Sequence, residues 1–392
     1  MIVFATLLLF GLAGFFVPKR HMQAYMIIAS IGISALYLFY SPPKNYDLFR
    51  HYEVLQIIKK NDIQTILFGS IKSNNYFVSE YSDGSRIYLL YLYLISQLNA
   101  ERLLPFITGV IIYTASSRII MMAVDDYGEE VEDWKISFCF FFLLIMLDFR
   151  TISGIRNMLT FSVAAYVMYL DLVRKKNVIL CFIAYILLAG IHTSVYIIIL
   201  LRILLLFKFI PFWGKLLIAV LSMSFLSVVV SILMRFSHVS IVSSIVYKIS
   251  VYFFTEGRYY FISRVLVRAF LVLLYLLTYG YLKMNQYIPE VFSEYLEFFL
   301  IVVFLDIGAF RQYDTFVRLH IFLYCAVSPL LLTYLHSCVD EMPYKLIAAD
   351  SSYSGIIETL LYAMLFSSII LVAMLYYQSY YPPMDSGFSF GI

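Results

Sequence analysis

Apolar and polar positions separate in this chain on the scale of whole segments. Long apolar runs occupy roughly 2–17, 23–40, 103–124, 136–148, 157–173, 178–207, 216–234, 261–282, 296–312, 315–336 and 355–377. Several approach the ~20 residues that an α-helix needs to cross a hydrocarbon core of about 30 Å. Backbone in lipid must satisfy its own hydrogen bonds, so these segments are expected as helices and not as open strands. The run 178–207 is too long for one untilted span. The polar insert "AGIHTS" (189–194) predicts a break there into two short helices. A further apolar stretch, 87–98, is half a span long and is read as a re-entrant or half-helix. The expected fold is an all-α polytopic integral membrane protein with roughly 11–13 transmembrane helices. It forms one membrane domain over 1–392, with a long outer loop at about 41–86 and a short C-terminal tail at about 378–392.

Composition sharpens the class. Hydrophobic residues make up 62% of the chain and charged residues 14%, against about 25% charged in an average soluble domain. The mean hydropathy is +0.86. A net charge of +3 is too small to argue for a nucleic-acid partner. The basic residues fall in short clusters between apolar runs, as the positive-inside rule leads one to expect. Cys139, Cys181, Cys325 and Cys338 lack CxxC spacing and read as small apolar residues. The opening "MIVFATLLLFGLAGFFV" has no basic start and no A-x-A cleavage site, so it is expected as a retained span. With the basic turn "RKKN" (174–177) in the cytoplasm, Arg150, Arg156 and His192 fall on the outer side.

Four polar constellations interrupt the hydrocarbon. "DFRTISGIRN" (148–157) places Asp148, Arg150 and Arg156 between two apolar runs, with Ser153 as the expected N-cap of a helix over 154–173. An arginine at a helix start is suited to an anion, since free N–H groups and a bidentate donor point the same way. Arginines snorkelling to headgroups are the plainer alternative. In "AGIHTS", His192 beside Thr193 and Ser194 is suited to proton transfer near neutral pH, or to simple packing against a carbonyl freed at Gly190. "NYDLFRHYE" (45–53) clusters Asp47, Arg50, His51 and Glu53, with Tyr46 and Tyr52 as aromatic faces for a sugar. Surface ion pairs at i,i+3 explain the same spacing. Asp47 is the candidate carboxylate for an acceptor hydroxyl. In "FRQYDTFVRLHIF" (310–322), Arg311 and Arg318 share a helix face and Asp314 precedes Arg318 by one turn. Arg264 and Arg268 are expected as headgroup anchors.

The sequence has no Gly-rich nucleotide loop, no metal-ligand spacing and no DxD motif, so neither cofactor nor metal is expected. Such chemistry calls for a membrane-embedded donor carrying its own leaving group.

Taken in order, these pieces resemble the EpsG-type, Wzy-like polysaccharide polymerases of bacteria, from about Tyr46 to Pro329. The likeness rests on "NYDLFRHY", then "SGIRNMLTFSVAAYVMYL" before "RKKN", then "GIHTSVYI", and finally "RLHIFLYCAVSP". It implies a GT-C-like glycosyltransferase membrane fold with an outward-facing cavity in the bacterial cytoplasmic (inner) membrane. There, undecaprenyl-diphosphate-linked oligosaccharides would be joined into a capsule, exopolysaccharide or O-antigen polymer. By matching position, Arg156, Arg150 and Arg318 would hold the diphosphate, while His192 and Asp47 would activate the acceptor. Asp148, Ser194, Arg50 and Arg311 are supporting candidates. The implied partners are the lipid-linked donor and acceptor, membrane lipid, a chain-length regulator and a flippase. Two other functions fit the same residues: a lipid-linked oligosaccharide flippase, and a membrane acyltransferase using His192.

Overall fold

The structure is a computed structural model. It describes residues 2–42, 47–69, 71, 75, 77–79, 81, 85–128, 130–147, 154–234, 262–310 and 312–339, with side chains described among them except at 2–4, 224–234, 262–265, 313–314 and 338–339. Every regular element among the described residues is helical. Helix α1 (Ile2–Ala13) and a short 3-10 turn lead into α2 (Lys19–Ala35). The stretch expected as a long loop contains α3 (Asp47–Ile58) and α4 (Ile63–Phe68). Both pack on α5 (Arg86–Ser96). Arg86 fixes this arrangement by donating to the carbonyls of Ile66 (3.2 Å) and Gly69 (2.7 Å) at the end of α4, where the helix leaves acceptors unmet.

The membrane-type bundle continues with α6 (Leu103–Asp126), α7 (Asp133–Met146), α8 (Ile155–Leu172), α9 (Val178–Ile191), α10 (Val195–Leu206) and α11 (Phe212–Met234). It closes with α12 (Ile262–Met284), α13 (Glu290–Gly308), α14 (Tyr313–Ala326) and α15 (Ser328–Val339). Helices α2, α6 and α12 are long and apolar enough to cross a membrane, and α14 with α15 makes a fourth if that pair, bent by 50°, is one span. Others are shorter: α9 has 14 residues and α10 has 12. The long run 178–207 breaks at His192–Ser194, where its polar insert lies. The half-span at 87–98 is α5, with 11 residues, or ~16 Å of helix.

Helix α8 is the centre of the bundle. It is enclosed by α6, α9 and α14 and also meets α10 and α13. Apolar on most sides and carrying Ala164 and Ala165, it has the composition of a helix buried by others, and its small residues let neighbours come close. Thr160 and Ser162 turn back on the helix, donating to the Arg156 carbonyl (2.8 Å) and that of Leu159 (3.1 Å), while the Tyr169 hydroxyl donates across to Asp126 of α6 (3.0 Å). Gly308, near the end of α13, is a second close approach. A Cβ there would press into the backbone carbonyl of Val220 on α11.

Two of the buried charged groups are paired across helices. At the far end of α8, Asp171 takes a two-point contact from Arg202 of α10 (2.7 and 3.1 Å) and accepts from the Tyr185 hydroxyl of α9 (3.3 Å). On another side, His320 of α14 lies 3.1 Å from Asp306 of α13 and 3.2 Å from the Arg268 carbonyl of α12. One imidazole thereby ties three helices. Arg268, expected as a headgroup anchor, is partly buried, with its Nε and Nη1 enclosed; the side chain of Arg264 lies outside the described residues. The "RKKN" turn is also held by acids. Arg174 meets Asp126 (2.8 Å) and Asp125 (3.5 Å), and Lys175 pairs with Glu294. Asn177 caps α9 by accepting from the N–H groups of Ile179 and Leu180.

The Asp171–Arg202 pair gives a test of this packing. Asp171→Ala should destabilise the protein by about 3–5 kcal/mol, since it strands a buried guanidinium, whereas replacing both partners by Leu and Met should restore most of that loss. Thermal midpoints in detergent measure both. A double variant no better than the single one would contradict the assignment.

Candidate functional site

A cavity of about 210 Å³ is lined by Asp47, Arg50, His51, Phe77, Tyr81, Gly154, Arg156, Asn157, His192 and Arg318. These residues come from five places in the sequence: the first turns of α3, the segment 77–81, the start of α8, the break between α9 and α10, and α14. The helix order explains the convergence. The break at 192 brings the end of α9 back beside α8, and α3 lies over α5 in the same region.

Three guanidiniums line this space and one carboxylate opposes them, so it carries a net positive charge with both histidines neutral. Asp47 and Arg50 form an i,i+3 ion pair at 3.0 Å and are partly exposed, a contact worth little by itself. Arg156 is held differently. Its guanidinium carbon lies 4.3 Å from the centre of the Tyr81 ring and 5.5 Å from that of Tyr88. Arg50 is likewise 5.0 Å from the Phe77 ring. Each such cation–π contact contributes roughly 0.5–2 kcal/mol, more where water is excluded. Tyr81 and Tyr88 are buried, and their hydroxyls lie 3.4 and 3.2 Å from Nδ1 of the buried His51. Burial first, then the charges of Arg156 and Arg50, push His51 down to about 3. Its ring is therefore neutral and serves as a hydrogen-bond hub behind Arg156.

His192 closes the opposite side. It ends α9 in extended conformation, and its Nδ1 accepts the backbone N–H of Ser194 (3.1 Å). A backbone N–H only donates, so Nδ1 holds the lone pair and the neutral ring carries its proton on Nε2. His192 thus offers a donor. Among the described residues of this lining, the one side-chain carboxylate is Asp47. Asn157 adds an amide whose Oδ1 is buried and unpartnered.

Among the residues expected from the sequence, Asp47, Arg50, Arg156, His192 and Arg318 line this one cavity. Ser194 contributes only its backbone N–H. Asp148, Arg150, Ser153 and Arg311 lie outside the described residues, as does Tyr46. Two expectations are corrected. The N-cap of α8 is Gly154, in place of Ser153, with no side-chain cap. Tyr52 faces the interior, 9% exposed, with its hydroxyl unpartnered, and so offers no face to a sugar. Phe77, Tyr81, Tyr88 and Asn157 were not expected. Phe77 and Tyr81 stand at i,i+4 in "NNYFVSEYSDG", a spacing that becomes informative only once the arginines opposite are known. Among the described residues, no three His, Cys, Asp or Glu side chains gather as metal ligands would.

Comparison of the chain with protein-family models, with curated proteins and with solved structures found no match.

The His51 environment predicts a pH effect of definite sign. An unfolded chain protonates this histidine near 6.5, while the folded protein keeps it neutral down to about 3. Its contribution to stability is therefore full above 6.5 and is lost as pH falls, by roughly tenfold in the folding equilibrium per pH unit. Thermal midpoints at pH 7 and pH 5 should differ less in His51→Gln than in the wild type. Equal differences would show that His51 is not buried as described.

Proposed function

We propose that this chain is a polysaccharide polymerase. It joins undecaprenyl-diphosphate-linked oligosaccharide repeat units at the outer face of a bacterial cytoplasmic membrane. The observation that carries this reading is the single cavity that collects Arg50, Arg156 and Arg318 with Asp47 and His192 from remote parts of the sequence. Charge of this density is expensive near lipid and persists mainly where it serves a ligand. In this reading the shorter apolar helices complete a multi-pass, GT-C-like bundle of roughly 11–13 crossings.

The chemistry then divides among the lining residues. The acceptor hydroxyl oxygen attacks the anomeric carbon of the donor sugar and forms the new glycosidic bond. The bond from that carbon to the diphosphate oxygen breaks, and the lipid diphosphate leaves with the electron pair. Asp47 takes the hydroxyl proton, a role of the kind that contributes 10²–10⁴-fold. Arg156 and Arg318 meet the charge that grows on the leaving group, and His192 donates through Nε2 to an oxygen of the same group. Donors preorganised in this way are commonly the largest single contribution to rate. Asn157 is placed to accept from a sugar hydroxyl.

Polymer length in cells carrying Arg156→Ala or Arg156→Lys, with protein level measured in the same membranes, tests the proposal. Single repeats with normal protein level are the expected result for both variants, because a lysine lacks the bidentate fork. Loss of repeat units from the outer face, with no change in linkage, would favour a flippase. Long polymer in both variants would remove Arg156 from the mechanism.

A further inference from the structure

Two aromatic residues that take no part in the chemistry above stand behind two arginines of the cavity, Arg50 and Arg156. Phe77 and Tyr81 are four residues apart in a stretch that is helical at 77–79 and 81, so their rings leave one face of it. One ring faces Arg50 of α3 at 5.0 Å, and the other faces Arg156 of α8 at 4.3 Å. A single short segment thereby contacts both arginine-bearing helices. Its own position is fixed in turn. The Tyr81 ring is buried and lies edge-to-face on Tyr88, with centroids 5.4 Å apart at 81°, and its hydroxyl lies 3.4 Å from Nδ1 of His51. His51 follows Arg50 directly in α3, so the same turn that carries one arginine also anchors the ring backing the other.

A guanidinium lying over an aromatic ring is restrained along the ring normal. Its N–H edges then point sideways in a planar fork. Arg50 spends Nη1 on Asp47, which fixes that fork further. Two guanidiniums backed by one segment at one cavity are matched to an anion with two charged centres. We propose that Phe77 and Tyr81 are positioning residues, which hold Arg50 and Arg156 as a pair selective for a diphosphate over a single phosphate group. This inference rests on the diphosphate reading of the cavity, and the test below separates the two.

The probes are inorganic pyrophosphate and orthophosphate, titrated calorimetrically into the purified full-length protein in nanodiscs. Wild type should prefer pyrophosphate, and Arg156→Ala should abolish that preference. Tyr81→Leu and Phe77→Leu should each weaken pyrophosphate binding by about 3–30-fold, the range of one cation–π contact. Orthophosphate binding should change much less, so the preference falls. Tyr81→Phe keeps the ring and should stay within about twofold of wild type. Phe77 is only half-buried, so its variant remains informative should Tyr81→Leu fail to fold by size-exclusion and thermal criteria. Wild-type preference retained in the leucine variants, or equal losses for both anions, would overturn the positioning role and leave the diphosphate reading standing. A wild type without preference for pyrophosphate, or an unchanged Arg156→Ala, would overturn that reading and the inference with it.

Discussion

The arrangement depends on one contact, the Arg156 guanidinium lying over the Tyr81 ring at 4.3 Å. Arg156 stands at the start of a helix that α6, α9 and α14 enclose, and a charge beside such packing needs a partner or a ligand. A guanidinium is less strongly hydrated than an ammonium and stacks on aromatic faces, so an aromatic wall can hold it where a lysine would need water. The wall needs support of its own. Tyr81 and Tyr88 are buried polar-tipped rings that require hydrogen-bond partners, and His51 provides one nitrogen to both. Arg156 and Arg50 help to keep that histidine neutral. Arginine, tyrosines and histidine thus fix one another.

Helix α8 connects this end of the bundle with the other. Arg156 lies at its start and the Asp171–Arg202 pair near its finish, ~22 Å apart at the rise of an α-helix. Between them the helix is packed by α6, α9 and α14, of which α9 ends at His192 and α14 carries Arg318. Two of the three helices that bury α8 therefore also reach the cavity, α9 at its end and α14 through Arg318. Helix α8 thus shares its packing partners with the site at one end and carries a buried ion pair at the other.

What was legible in the sequence follows from which signals are local. Arg156 and His192 stood out because each interrupts a long apolar run, and a charge or an imidazole there needs a reason within the segment itself. The helix break at 192 was legible for the same cause. Asp47 and Arg50 were visible as an acidic and basic cluster, although their i,i+3 spacing alone gave only a surface pair. Phe77 and Tyr81 were not legible. Their stretch shows no hydrophobic period that sets it apart, and their partners lie 27 residues earlier at Arg50 and 75 residues later at Arg156. Tyr52 was misassigned because an aromatic beside charged residues looks exposed, whereas α3 turns that face towards α5. Among the described residues, three helices, or four with the bent pair, are long and apolar enough to cross a membrane.

The central claim is that this cavity makes a glycosidic bond at the expense of a lipid diphosphate. The most direct measurement is reconstitution: the purified protein in proteoliposomes, given lipid-diphosphate-linked oligosaccharide from the host's own membranes, with chain length and released lipid diphosphate counted together. The account predicts chains longer than one repeat and one lipid diphosphate released for each bond formed. Movement of the oligosaccharide across the bilayer with neither longer chains nor released lipid diphosphate would contradict it.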